Sequence, residues 1–216
     1  MNGNFIELSE GGFVIKILES KTEKEQAYRL RHKIFCRELK WISEKDDGRE
    51  IDSYDNNAIL LGLFEKKLLV GIIRLIFSYM PMMIEKEFSE LVSPLHRIKK
   101  DINTAELTRL GIKSDMRKSC KRRAALVMYK GIYFWSRWND IRYLYLVVEK
   151  KMFRAFKVSG FPLKIIGPIN RLKGGVESLA AILDWREFEK ASKLYSYFLQ
   201  GNNLQFERLG HRMAAG

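Results

Sequence analysis

Ala58-Ile59-Leu60-Leu61-Gly62-Leu63-Phe64, then Glu65-Lys66-Lys67, then Leu68-Leu69-Val70-Gly71-Ile72-Ile73-Arg74-Leu75-Ile76-Phe77: two apolar runs flank a short charged turn. Each run has the length of a strand, and so short a turn pairs them as an antiparallel hairpin. Upstream, Phe13-Val14-Ile15-Lys16-Ile17 alternates as a first strand. Thr22-Glu23-Lys24-Glu25 reads as a capping box that opens a helix. Its apolar face is Ala27, Leu30, Ile34, Phe35 and Leu39, and Arg31 lies on that face. From Trp41 to Asp55 the chain is polar and irregular, a loop of about fifteen residues, a length usually functional or mobile.

Downstream, a helix is expected around Ile84 to Leu91 and a strand over Thr104 to Ile112. A long helix spans Ser119 to Trp138, and a strand follows at Ile141 to Val148. A helix from Glu149 to Ser159 ends at Gly160. Strands at Leu163 to Gly167 and Ser178 to Leu183 precede a helix from about Glu187 to Leu199. This order predicts a mixed sheet with helices on both faces, an α/β or α+β single domain over residues 1–216.

The hydrophobic fraction of 46% suits a globular chain, and no apolar run reaches bilayer length. Met1 to Phe5 lacks the basic-then-apolar layout of a signal peptide. Cys36 and Cys120 are too few for a disulfide framework, which suggests a reducing cytoplasm. His32, His96 and His211 are scattered without metal-ligand spacing, so no metal is expected. There is no P-loop and no nucleophile elbow, and Gly174-Gly175 is not a dinucleotide fingerprint. Any chemistry must therefore run on carboxylates, arginines and backbone groups.

Those groups sit where apolar residues belong. Arg31, Arg74, Glu106 and Arg109 each interrupt an apolar run, and Asp52 and Asp55 border the loop. A core-facing charge is costly unless paired, so three arginines and three acids can satisfy one another in one cluster. Glu106 and Arg109, three apart on a strand, reach one site only across a bulge.

The net charge of +13 is uneven: residues 113–157 hold thirteen Lys/Arg against three Asp/Glu. Lys118, Lys121, Arg122 and Arg123 crowd a helix start, where a bound anion would offset the dipole. Lys150, Arg154 and Lys157 share one helix face above Met152, Phe153 and Phe156. Both patches read either as solvated basic surface or as docking faces for an anionic partner. Trp41, outside any periodic element, is placed to close over a ligand.

Arg31-x3-Phe35-x5-Trp41, Asp52-x2-Asp55, Arg74 and Glu106-x2-Arg109 together resemble the acyl-homoserine-lactone synthase family, the autoinducer synthases. The resemblance covers roughly Val14 to Leu199. It implies a GNAT-like fold with a V-shaped splay in the sheet and a bulge in the Thr104–Ile112 strand. It implies an acyl group delivered on acyl-carrier protein, as acyl-phosphopantetheine, and S-adenosylmethionine as the amine substrate, with no tightly bound cofactor. Glu106 is then the candidate base, with Asp52, Arg74 and Arg109 beside it. Arg31, Phe35, Trp41 and Asp55 shape the acceptor pocket, and the two basic patches receive the acidic carrier protein transiently. Ile76-Phe77-Ser78-Tyr79 stands where the family often has Pro-Thr. Phe35-Cys36-Arg37-Glu38 is similar to a sister group, the N-acyl amino acid synthases and exosortase-associated acyltransferases, so the acceptor stays open. A nucleic-acid-binding module would use the basic faces but does not explain the buried charges; a non-catalytic carrier-binding protein is a further alternative, which turnover would exclude.

Overall fold

The computed structural model describes residues 7–172 and 175–200. Met1 to Phe5, Gly174 and His211 lie outside them. Eight strands form one sheet: β1 Glu7–Glu10, β2 Phe13–Ile17, β3 Ala58–Glu65, β4 Leu68–Phe77, β5 Thr104–Ile112, β6 Tyr143–Glu149, β7 Lys164–Arg171 and β8 Glu177–Asp184. Their spatial order is β1-β2-β3-β4-β5-β6-β8-β7. Every neighbouring pair is antiparallel except β5 and β6, which run parallel. The β3–β4 hairpin is present, with its turn at Lys66 and Lys67 and Lys66 in the left-handed region at φ 57°.

The helices are α1 Lys21–Arg31, α2 Met83–Lys86, α3 Lys118–Trp138, α4 Lys150–Val158, α5 Trp185–Ala191 and α6 Lys193–Gln200. One face of the sheet, carrying Leu61, Ile73, Leu75, Leu107 and Leu146, packs under α3 in the larger core. The other face holds two smaller clusters, one under α1 around Ile72 and Leu30, the other under α2 around Ile76 and Met83. The charged residues lie between these two.

Several sequence expectations need correction. The cap of α1 is Ser20, whose hydroxyl accepts from the Glu23 amide while the Glu23 carboxylate accepts from the Ser20 amide. The box therefore starts two residues before Thr22. Beyond Arg31 the helix widens into a π-helical turn, His32–Glu38. That extra residue per turn breaks the 3.6-residue phase, so Leu39 swings out to 41% exposure instead of extending the apolar face. The expected helix over 84–91 is α2 plus a separate 3-10 turn at Ser89–Leu91. The expected C-terminal helix is two, parted at Ser192. β1 has no clear sequence signal, because Leu8 is its sole buried residue among polar neighbours. Met152 is exposed rather than on the inner side of α4.

The β5–β6 pairing sets the architecture of the site. It joins Thr104–Leu107 to Tyr143–Leu146 and stops there, although both strands continue. Past that point they part, leaving a V-shaped splay. α3 spans the larger face and passes close over β2 at Gly131, where a Cβ would fall 2.6 Å from Ile15 Cδ1. Ile15 is fully buried and cannot retreat. Gly131→Ala should therefore lower unfolding free energy by about 1–3 kcal/mol, the usual effect of overpacking, as read by urea denaturation. A neutral result would mean that α3 can lift from the sheet.

Candidate active site

Arg31 ends α1 facing the sheet, Arg74 lies midway along β4, and Arg109 lies late in β5. The first two are fully buried, and Arg109 is nearly so. Each guanidinium has one aromatic ring at its face: Tyr28 at 5.6 Å from Arg31, Tyr54 at 5.7 Å from Arg74, and Phe35 at 5.8 Å from Arg109. These rings supply apolar cover and a favourable quadrupole.

Three carboxylates interleave with them. Glu50 accepts from Arg31 Nε at 2.5 Å and from Arg109 Nη2 at 2.9 Å. Asp52 accepts from Arg109 Nη2 at 2.9 Å and from Arg74 Nη1 at 2.5 Å. Asp55 accepts from Arg74 Nη1 at 3.0 Å and from Arg31 Nη1 at 2.5 Å. The six charges thus close a ring, Arg31–Glu50–Arg109–Asp52–Arg74–Asp55, in which every member touches two of opposite sign.

Local structure explains the Asp-x2-Asp spacing. Asp52 caps the 3-10 turn Ser53–Asn57 by accepting from the Tyr54 amide, while Asp55 accepts from the Asp52 amide. The reciprocal cap orders the loop end and presents both carboxylates to the arginines. Glu50 is tethered separately, its amide donating to the Tyr28 carbonyl of α1. Burial alone would raise the Glu50 carboxyl, but the hydrogen bonds from Arg109 and Arg31 outweigh it and hold it at about 2. Asp55 is likewise lowered, its Arg31 bonds overcoming burial.

The sequence puts Asp52, Asp55 and Glu106 forward as the three acids of the cluster and omits Glu50, which takes the place expected of Glu106. The structure gives Arg31 to Glu50 and Asp55, with Asp52 at 4.0 Å. Glu50 sits in a loop with no periodicity to orient it, so its burial has no sequence signal beyond the adjacent Ile51.

The expected bulge is present. Ile72 pairs with Gly111 and Arg74 with Thr108, so Arg109 and Leu110 together oppose Ile73. Arg109 takes the left-handed conformation there, φ 50°. Thr108 accepts from Arg74 Nε at 2.9 Å, so consecutive residues Thr108 and Arg109 both reach the ring.

Glu106 lies outside that ring of ion pairs. It is fully buried, and its two oxygens accept from the amides of Met83, 2.6 Å, and Ile84, 2.8 Å. Burial pushes its carboxyl up, and the two amides and Arg74 only partly offset that, leaving it at about 7. A carboxylate of that basicity can exchange a proton near neutrality.

Phe35 comes from the π-helical turn and lies beside Trp41, their rings 6.0 Å apart; Trp41 remains 38% exposed at the rim. On the opposite sheet face, at the splay, lies an apolar cavity of ≈30 Å³. Leu107 and Leu110 of β5, Leu144 and Leu146 of β6, Phe161 and Trp185 line it. Lys118, Arg122 and Arg123 are exposed and Lys121 half-exposed at the start of α3, whose first turn has no acid. On α4, Arg154 and Lys157 are exposed, whereas Lys150 is partly buried against Glu177 at 3.1 Å. β8 thus brings an acid that the helix sequence does not contain. Among the described residues no group of side chains could hold a metal ion, and no helix is long and apolar enough to cross a membrane.

This geometry has counterparts. LasI, an acyl-homoserine-lactone synthase of solved structure, superposes with a TM-score of 0.75 at 22% identity, covering 91% of this chain and 98% of its own. The fold is therefore that of a GNAT-like acyltransferase. The family model for autoinducer synthases matches residues 16–192, and the chain belongs to that family of acyltransferases. An acyl-homoserine-lactone synthase of Rhizobium radiobacter is 28% identical over 149 residues, 66% of this chain and 70% of the relative. A structure of the CoA-dependent synthase BjaI with SAM and isopentyl-CoA is 25% identical, with a TM-score of 0.70 over 81% of each chain.

The ring makes a prediction for stability. The unfolded chain protonates Glu50 near 4.5, whereas the folded chain resists down to about 2. Acid therefore favours unfolding, and this contribution is present above 4.5 and lost as pH falls toward 2. Glu50→Gln should cost about 3–5 kcal/mol at pH 6, since it leaves two buried arginines short of a partner. Urea denaturation at pH 6 and pH 3 should find the gap between parent and variant narrowing in acid. A constant gap would show that Glu50 is not ionised in the fold.

Proposed function

We propose that the chain transfers an acyl group from the phosphopantetheine thioester of an acyl-carrier protein to the α-amine of S-adenosylmethionine, in a single catalytic domain. The observation that carries this reading is Glu106, buried near neutral basicity beside a six-charge ring at the mouth of an apolar splay. The eight strands of the described residues join one sheet, which supports the single domain.

In this reading the acyl tail enters on the Leu107 face of β5, where the ≈30 Å³ cavity widens as its apolar lining parts, and the amine approaches from the Glu106 face. The amine nitrogen attacks the thioester carbonyl and its proton passes to Glu106. The oxyanion is received by backbone amides of β5 beyond Leu107, a reading supported by the end of the pairing with β6 there. The C–S bond then breaks, and the departing thiolate takes up the proton. In the second step a carboxylate oxygen of the bound product displaces the sulfonium sulfur at Cγ, closing the lactone and releasing methylthioadenosine. Asp52, whose carboxylate keeps a quarter of its surface exposed, favours the sulfonium charge, Asp55 acts from behind by holding Arg31 and Arg74, and Phe35 and Trp41 cover the adenosine end.

The test is mass spectrometry of the products formed from S-adenosylmethionine and acyl-carrier thioesters. The lactone and methylthioadenosine are expected in equal amounts. An acylated free amino acid with no methylthioadenosine would replace the acceptor. Glu106→Gln should lower turnover about 100-fold or more with the fold intact. Parent activity should fall in acid as Glu106 is protonated around 7. Near-parent turnover in the variant would remove Glu106 as the base.

Exposed Arg154 and Lys157 are the cleaner test of the donor face, because Lys150 is already paired. Arg154→Glu with Lys157→Glu should raise KM for the acidic acyl-carrier protein in a salt-dependent way. It should leave KM for a small acyl thioester unchanged. If acyl-CoA serves the parent enzyme better than the carrier protein does, the donor is the free coenzyme, as it is for the CoA-dependent BjaI.

A further inference from the structure

Two donors in the charge ring are left over. Arg74 gives Nε to Thr108 and Nη1 to Asp52 and Asp55; Arg109 gives Nε to Glu50 and Nη2 to Glu50 and Asp52. That leaves Arg74 Nη2 and Arg109 Nη1. Both point to one atom, the thioether sulfur of Met83, at 2.8 Å and 3.6 Å. A thioether is a weak acceptor, yet two buried guanidinium groups converge on it. The backbone of the same residue does something different: its amide donates to Glu106 Oε2 at 2.6 Å, and the next amide, Ile84, donates to Oε1. Met83 itself is buried.

We infer that Met83 is a positioning residue, tying the Glu106 carboxylate to the Arg74–Arg109 pair through its amide on one side and its sulfur on the other. α2 is a single turn whose N-cap, Met82, has no polar side chain; Glu85 holds the Met82 amide and buried Met82 and Ile84 pack the turn, and the Met83 sulfur is its link to the charge ring. The sulfur anchors that turn to the ring, and the anchored turn aims two N–H groups at Glu106. These N–H groups favour the ionised form, against the burial that opposes it. The other groups acting on Glu106 are Arg74 from β4 and Glu85 from α2; Tyr54, from the 3-10 turn, also lies within its field. Tyr145 of β6 sits opposite it in register. Of these, Arg74 alone touches the sulfur, so Met83→Leu also frees its Nη2; an Arg74 that then turned toward Glu106 would lower the carboxyl, opposite to the effect of slackened amides.

Met83→Leu keeps the volume and the amide but removes the acceptor; Met83→Gln supplies a stronger one. The Ile84 amide is present in all three proteins and touches Glu106, so its ¹⁵N and ¹H shifts report that carboxyl directly, without substrate. A midpoint near 7 is expected for the parent. Met83→Leu should move it up by about one pH unit as the amide bonds slacken and burial dominates. Met83→Gln should return it to the parent value. Equal midpoints in parent and Met83→Leu, a downward shift, or the same shift in both variants would overturn the inference. The consequence for turnover rests on reading Glu106 as the base. The acid limb of kcat should follow the amide midpoint across the three proteins. If the midpoint moves and the limb does not, Met83 keeps its role and Glu106 loses the role of base.

Discussion

The structure depends on a closed ring of six side chains with alternating charge. Three guanidinium groups at a sheet surface would each be untenable alone, because burying an unpaired ion costs several kcal/mol. Closing the ring gives each arginine two carboxylates and each carboxylate two arginines, so no member faces apolar surroundings with only one partner. The arrangement also dictates local backbone. Arg109 accepts a left-handed φ to reach Asp52 and Glu50, and the bulge that this creates places Thr108 against Arg74. The loop end folds into a 3-10 turn because its two aspartates cap each other while facing the ring.

Much of this could be read from residue order, and the exceptions have definite causes. The hairpin, β5, α3 and the β6–α4 unit are long, strongly periodic segments whose patterns admit one interpretation. Arg31 was legible as an inward-facing charge because its helix phase is clear. The Glu106–Arg109 conflict was legible as a bulge because a regular strand cannot satisfy it. Glu50 was not legible, since an aperiodic loop carries no phase to aim a side chain. Met83 was hidden for another reason: a methionine in an apolar context is core by default, and what distinguishes this one is its backbone amide and the geometry of its sulfur. The π-helical turn is invisible in composition, yet it turns Leu39 outward and holds Phe35 beneath Arg109.

The sheet separates two environments. One face holds the ring, Glu106 and Met83 between two small apolar clusters; the other is a continuous hydrocarbon layer beneath α3. Adjacent residues of β5 serve each: Glu106 on the polar side, Leu107 on the cavity wall. A fully zipped sheet would wall the two layers off from each other. The end of β5–β6 pairing at Leu107 and Leu146 leaves the sheet unzipped beside the residues that face each layer.

The ring has a kinetic side as well. Its members come from α1, the long loop, β4 and β5, so closing it requires contacts between residues as far apart as Glu50 and Arg109. Such distant contacts form slowly, because chain must be ordered before they repay the entropy. A nascent hairpin in which β4 has met β3 but β5 has not arrived has Asp52 and Asp55 at hand for Arg74 but lacks Arg109, so Glu50 and Asp52 each want a second arginine. Such a half-built sheet leaves charges incompletely paired, which costs free energy wherever they are buried. The ring is complete only when β4 and β5 are aligned, so a molecule with its polar face fully paired also has these two strands in register.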